Sequence, residues 1–361
     1  MGIRREKSEC QTTQTSPMNS FKLPPALAGC LVACALHASF NPILILAGAP
    51  PDGRGFEETF TTNPAESGWA AHGEADLFAW DGSRQALRVT WDSSRTNSYY
   101  HRPLGVTLSA QDDFAIAFDL VLLDIKGGSN PLKPSAFQIA VGLMNSEQSR
   151  RPDFFRGAGL DSATGARSLL EWNYFPDTGF GTTVSPGVFS SNNLARFSFA
   201  FPFDLTPLVS YRIEMEHIAA KGTLITRMLA NGKPTKEIQD VVLPDQQEFD
   251  FRLDSFAVSS YSDAGQSGEF DGSVLARGWV DNVLVVLPPP LRLVPSLTAA
   301  GLPGIRFTGR QSWRYLLERS EDLVSWTAAG EWTANRPGEA AMTDPAPPAF
   351  KAFYRVIGRA P

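Results

Sequence analysis

Between residues 56 and 287 apolar side chains recur at every second position, in short runs separated by turn residues. Ala86 to Trp91 and Phe114 to Leu123 alternate in this way, and Phe137 to Leu143 sets Phe137, Ile139, Val141 and Leu143 on one face. A period of two is the signature of a strand. The runs 169–175, 211–217, 224–229, 249–258 and 278–287 extend the series. Asp81-Gly82, Asn231-Gly232 and Asp271-Gly272 are turn dipeptides. Residues 211–234 predict a hairpin, then a tight turn at Asn231-Gly232. No apolar stripe with helical spacing is longer than two turns. Many short strands at this spacing predict an all-β chain, with a jelly-roll β-sandwich over residues 50–287.

Pro288-Pro289-Pro290 is a stiff linker without backbone donors. Beyond it, residues 291–361 predict a small β domain, with strands near 291–295, 304–307, 315–319, 326–332 and 353–357. At about 70 residues it is near the lower size for independent folding.

The amino terminus reads differently. Residues 22–49 run KLPPALAGCLVACALHASFNPILILAGA: a basic residue, an apolar stretch, and Ala47-Gly48-Ala49 as an A-x-A cleavage pattern. Ala33-Cys34-Ala35 is a second cleavage pattern, and Met18 makes a better start than the polar stretch 1–17. The expectation is an N-terminal extension and signal peptide over residues 1–49. The alternative is a retained membrane anchor, against which His37, Asn41 and Pro42 interrupt the run. Leu27-Ala28-Gly29-Cys30 also fits a lipoprotein box, though little apolar sequence precedes it. The expected location is therefore secreted, periplasmic or cell surface.

Composition narrows the chemistry. The chain has 361 residues, 43% of them hydrophobic, which excludes wholesale disorder. Its net charge is -6, and nucleic-acid binding needs clustered Lys and Arg instead. Four histidines and three cysteines argue against a zinc enzyme, and Cys10, Cys30 and Cys34 all precede residue 50. Cleavage after Ala49 would leave no cysteine, so the exported chain would rest on core packing, with a metal ion as a further support.

Phe56-Glu-Glu-Thr-Phe60, Gly68-Trp69, Phe78-Ala-Trp80 and Gly278-Trp-Val-Asp-Asn-Val-Leu-Val285 together resemble the concanavalin A-like lectin/glucanase superfamily, which includes laminin G-like and MAM-type modules. The resemblance implies a two-sheet jelly roll whose first and last strands lie side by side. Tyr315 to Trp326 (YLLERSEDLVSW) and Phe353-Tyr-Arg-Val356 resemble a fibronectin type III-like module at the ends of secreted bacterial proteins of verrucomicrobial type. That likeness implies an accessory or surface-attachment role. Modules of the superfamily often hold calcium at the seam of first and last strands. This brings Glu57 or Glu58 and Asp281 forward as ligands of a structural calcium ion, although no D-x-D-x-D-G loop is present.

The superfamily contains glycosidases, which need paired carboxyls. The nearest matches to its E-x-D-x-(x)-E strand are Glu171-Trp-Asn173, Glu214-Met-Glu216 and Glu248-Phe-Asp250, each without the third acid. Glu214 and Glu216 alternate with apolar neighbours and read as the wet face of a strand. No G-x-S-x-G elbow, phosphate loop or dinucleotide fingerprint occurs, and His72, His101 and His217 have no metal-ligand spacing. Aromatics beside hydrogen-bonding groups are the richest signal: Tyr99, Tyr100 and Arg102 in one segment, Glu171, Trp172, Asn173 and Tyr174 in another. Rings pack on sugar C–H faces while amides and charged groups bind hydroxyls. Trp172 and Tyr174 share a strand face opposite Glu171 and Asn173, so one set is core. Trp69, Trp80 and Trp279 read as core.

These features point to a non-catalytic protein that binds an extracellular polysaccharide on the concave sheet of a jelly roll, without cofactor apart from the calcium. Two alternatives stand beside it: a glycoside hydrolase or polysaccharide lyase using Glu171, and a structural or adhesive surface protein. Membrane contact is expected only through an uncleaved N-terminal segment.

Overall fold

A computed structural model describes residues 55–157, 165–244, 249–266, 271–288, 292–310, 313–335, 338–349 and 351–359. Residues 1–49, where a signal peptide is expected, the three cysteines, Glu248 and two of the three linker prolines lie outside the described residues.

The chain is all-β. Among the described residues the only helices are 3-10 turns of three or four residues. Two large sheets face each other. In the first, the strand order is Lys233–Pro234, Thr223–Ala230, Ser210–Ile218, Phe114–Gly127, Gly272–Val286, Ala86–Asp92 and Phe78–Asp81. In the second it is Ala195–Phe197, Gly187–Phe189, Leu169–Phe175, Ile139–Met144, Leu253–Ser260, Ser98–Leu108 and Ala70–His72. The strands Gly55–Glu58 and Gly272–Val286 pair antiparallel, with Phe56 opposite Val285 and Glu58 opposite Val283. First and last strands of the sandwich are thus neighbours. The Ser210–Ile218 and Thr223–Ala230 strands form the expected hairpin, and Asn231 (φ 48°) and Gly232 (φ 77°) close the next turn. Positive φ at both positions matches the twist of the flanking strands.

Alternation decides what the sheets bury between them. Phe118, Trp172 and Phe256 meet edge to face at 6.1–6.3 Å between ring centres. The Trp172 indole N–H lies 3.4 Å from the Met228 sulfur of the first sheet. One continuous core runs through these residues, and a second is centred on Ile305, Phe307, Tyr315 and Leu317. Around the second core, Val294–Leu297, Pro303–Gly309 and Gly338–Thr343 form one three-stranded sheet, and Thr327–Thr333, Arg314–Ser320 and Phe353–Arg359 another.

Three strands depart from the expected pattern. Ser98–Leu108 is a single strand of 11 residues, hidden in the sequence because buried Ser98 on one face and buried His101 on the other interrupt its apolar pattern. Gly338–Thr343 is weakly apolar and was not expected. Pairing near 249–258 begins only at Leu253, with a register shift before Ser255, although Phe249 and Phe251 are fully buried.

Arg310, just past the Pro303–Gly309 strand, ion-pairs with Asp112, just before the Phe114–Gly127 strand. Asp112 is buried and accepts from the Ser109 N–H (2.8 Å) and hydroxyl (3.0 Å). Burial pushes its carboxyl above the ordinary value and the arginine opposes this. Arg310→Ala removes the cation that ion-pairs with a buried carboxylate. The expected loss is about 2 kcal/mol, read from the urea midpoint, and a change under about 0.5 kcal/mol would show that the pair carries no stability.

Candidate functional site

The face of the second sheet that points away from the first is the candidate site. Its residues follow from strand register. One row across the sheet is Gly187, Glu171, Gly142, Ala257, His101 and Ala70. The adjacent row is Asn173, Ala140, Ser259, Tyr99 and His72. Small residues occupy the centre and polar ones the flanks. A Cβ at Gly142 would sit 2.1 Å from the Leu170 carbonyl oxygen, so only glycine lets these strands close up beside Glu171.

The segment 145–157 crosses this outer face. The Tyr99 hydroxyl donates to the Ser149 carbonyl at 3.1 Å, and the Asn97 amide donates to the Phe154 carbonyl at 3.2 Å. Ser146 donates to Asp254 through its N–H (2.9 Å) and hydroxyl (3.1 Å). Phe154 packs against Tyr99 and Tyr261. At its far end Arg156 reaches Glu171, Nε to Oε2 at 3.3 Å, and its guanidinium lies 4.4 Å from the Phe189 ring centre. The Tyr261 hydroxyl donates to the other Glu171 oxygen. Burial drives the Glu171 carboxyl up, with Arg156 and Tyr261 opposing. Burial and the Glu171 charge together push Tyr261 far above the ordinary phenol value.

This polar layer is incompletely bonded. Glu171 (2% exposed), Arg156 (0%), Asn173 (0%), Gln138 (1%) and His101 (7%) are all buried. Gln138 precedes the Ile139–Met144 strand and is in step with Ala140. Its Oε1 and Nε2, the Asn173 Oδ1, the Arg156 Nη2 and the His101 Nδ1 have no hydrogen-bond partner among the described residues. An unmet buried polar group costs about 1–3 kcal/mol, so five on one layer are a substantial expense to the free fold. They offer both donors and acceptors, the mixture that hydroxyl groups satisfy.

The expected site residues divide between the two faces. Glu171, Asn173 and Tyr99 lie on the outer face. Trp172 and Tyr174 do not line it: they stack in the core, 6.2 Å between ring centres, and the Tyr174 hydroxyl accepts from the Leu205 N–H at 3.3 Å. Tyr100 and Arg102 also point inward. Tyr100 stacks on Trp69 and Phe78, and the Arg102 guanidinium lies 4.1 Å from the Phe56 ring centre. Glu171, Asn173 and Tyr99 are buried as well as Trp172 and Tyr174, because segment 145–157 covers the second face, while Tyr100 and Arg102 are half-buried.

Other expectations need correction. Trp80 is 40% exposed, and half-buried Trp279 lies on the outer face of the first sheet, 3.9 Å from the Arg84 guanidinium. Trp69 is core. Glu216 is buried rather than solvated, with Arg227 at 3.8 Å. At the seam, Glu57 is exposed opposite Leu284, while Asp281 stands opposite Asp119. Asp119 is already bonded by Arg212 (3.2 Å) and Asn282 (2.7 Å). Burial, with Asp119 and Glu58 nearby, pushes Asp281 up to about 6. Glu58 accepts from the Phe60 N–H, the Ser67 hydroxyl and the Trp69 indole, so its oxygens organise the first loop. Among the described residues no three His, Cys, Asp or Glu side chains gather in a set that could hold a metal ion. Calcium needs six to eight oxygens, and the donors present at the seam do not fit it.

Gln138, Arg156, Tyr261 and His101 were not read as site residues. Gln138 had a faint signal, since Gln138, Ala140 and Gly142 make the non-apolar face of an alternating run. Arg156 sits in a loop and had none.

No protein-family model and no curated protein matches the chain. Solved structures similar to it include peanut lectin with a nine-residue peptide, at 12% identity over 65% of this chain and 98% of that one (TM-score 0.39). Lectin II from Ulex europaeus is 12% identical over 63% and 97% (TM-score 0.38). An alginate lyase is 10% identical over 60% and 86% (TM-score 0.35). These are likenesses of fold alone.

Proposed function

We propose that this is an exported protein that binds carbohydrate, without catalysis, at the outer face of its second sheet. The observation that carries the reading is the buried polar layer of Gln138, Asn173, Arg156 and His101 with unmet hydrogen-bonding atoms. A polyhydroxyl ligand supplies donors and acceptors to all of them, and Tyr99, Tyr261 and Phe154 supply ring surface for its C–H faces. Entry requires the covering segment to open locally while Arg156, at its end, stays paired with Glu171. Export rests on the signal-like sequence of residues 22–49. The six-stranded C-terminal region is read as a fibronectin-like accessory module.

A catalytic reading has one observation behind it, the raised Glu171 carboxyl. Glycoside hydrolysis by acid and base needs a second carboxyl within about 5–9.5 Å. The groups that hydrogen-bond to Glu171 are an arginine and a phenol.

The test mixes the full chain with a panel of soluble and insoluble polysaccharides, recording depletion from solution and new reducing or unsaturated ends. Depletion without new ends is expected. New ends that vanish in Glu171→Gln would replace binding with catalysis. Neither signal across the panel would favour a structural or adhesive protein.

A further inference from the structure

The contact between segment 145–157 and the sheet contains an unusual pair. Arg150 Nη2 lies 2.9 Å from His101 Nε2. A guanidinium has no lone pair to offer, so it donates and the imidazole nitrogen accepts. His101 is therefore neutral in this arrangement, with its proton on Nδ1, a buried atom without a partner among the described residues. Protonating His101 removes the acceptor and sets two cations against each other at hydrogen-bond distance.

We infer that Arg150 and His101 form an acid-released latch, which holds segment 145–157 over the outer face near neutral pH and frees it on acidification. This rests on the outer face being the binding site, whose access the latch controls.

The surroundings of His101 favour its neutral form. Burial, Arg150 and His72 all hold it below the ordinary imidazole value, and only Asp254 opposes. His72, stacked on Tyr99 with 5.9 Å between ring centres, is lowered by burial and by the same arginine. The Asp254 carboxylate is occupied by Ser146 at the start of the segment. The neighbouring Tyr99 hydroxyl donates to Ser149. The sign follows. The closed state disfavours the proton and the open state does not, so closure is fully stable above the ordinary histidine pKa of about 6.5 and weakens below it. Each pH unit below that value multiplies the opening constant by up to about tenfold.

The experiment measures amide hydrogen exchange of the full chain at pH 7.5 and 5.0, corrected for intrinsic rates. Protection across 145–157 is expected to fall about tenfold or more, while strand Leu169–Phe175 keeps its protection. In His101→Gln the fall disappears, because the amide oxygen still accepts from Arg150 and gains no proton. Arg150→Met serves as a second variant: the segment loses protection already at pH 7.5, and the further fall at pH 5.0 is smaller than in the wild type. An unchanged segment in the wild type, or the same fall in His101→Gln, overturns the latch. Exchange needs no ligand. A responsive segment in a protein that captures no glycan removes the binding site and leaves the latch, and the reverse result removes only the latch.

Discussion

Arg156→Met destabilises the protein by about 3–5 kcal/mol at neutral pH, and Glu171→Leu added to it recovers most of that loss. Both partners are buried, and the arginine is the largest influence opposing the desolvation of the glutamate. Losing it leaves a carboxylate with a single donor, Tyr261. Replacing the pair by apolar groups removes the uncompensated charge as well, which is why the double variant is milder than the single. The penalty also depends on pH. Without Arg156 the folded-state pKa of Glu171 rises further above its unfolded value. A carboxyl raised in this way takes up a proton on folding, so stability falls as pH rises beyond the unfolded value near 4.3. Urea midpoints of Arg156→Met should therefore lie closer to wild type at pH 5 than at pH 8. A penalty that grows towards pH 5 would contradict a buried Glu171 held by Arg156.

A second large effect is expected at Gln138, and its two halves have opposite signs. Gln138→Met keeps volume and shape but removes two buried polar atoms that have no partner among the described residues. The free protein gains about 1–3 kcal/mol, the cost of an unmet buried polar group. Glycan capture is lost, because the amide is kept for the ligand. Substitutions that only repack a core do not behave this way, since a binding residue that costs stability is a mark of a functional layer.

Much of the fold was legible because period-two alternation survives wherever one face of a strand is wet or the other strictly apolar. Strands 86–91, 114–123 and 169–175 were placed within a few residues for that reason. The opposition of Trp172 and Glu171 was legible from the same rule. Which of the two faced the core was not, because both faces of Leu169–Phe175 are covered. The covering segment 145–157 has little regular structure, and no sequence period announces where a loop folds back. The same difficulty hid Arg156, whose partner Glu171 is 15 residues away on a strand. Trp279 is half-exposed on the outside of the first sheet, where alternation gives a large ring no different signature, and Trp80, in step with core Phe78, is uncovered because its strand is the last of the sheet.

The measurement that bears most directly on the outer-face site pairs urea unfolding with polysaccharide capture for Gln138→Met and wild type. A variant that is more stable than wild type and no longer captures glycan is the expected result. A variant that is less stable and captures as well as wild type would show that the amide belongs to the fold and that this face is not where the ligand binds.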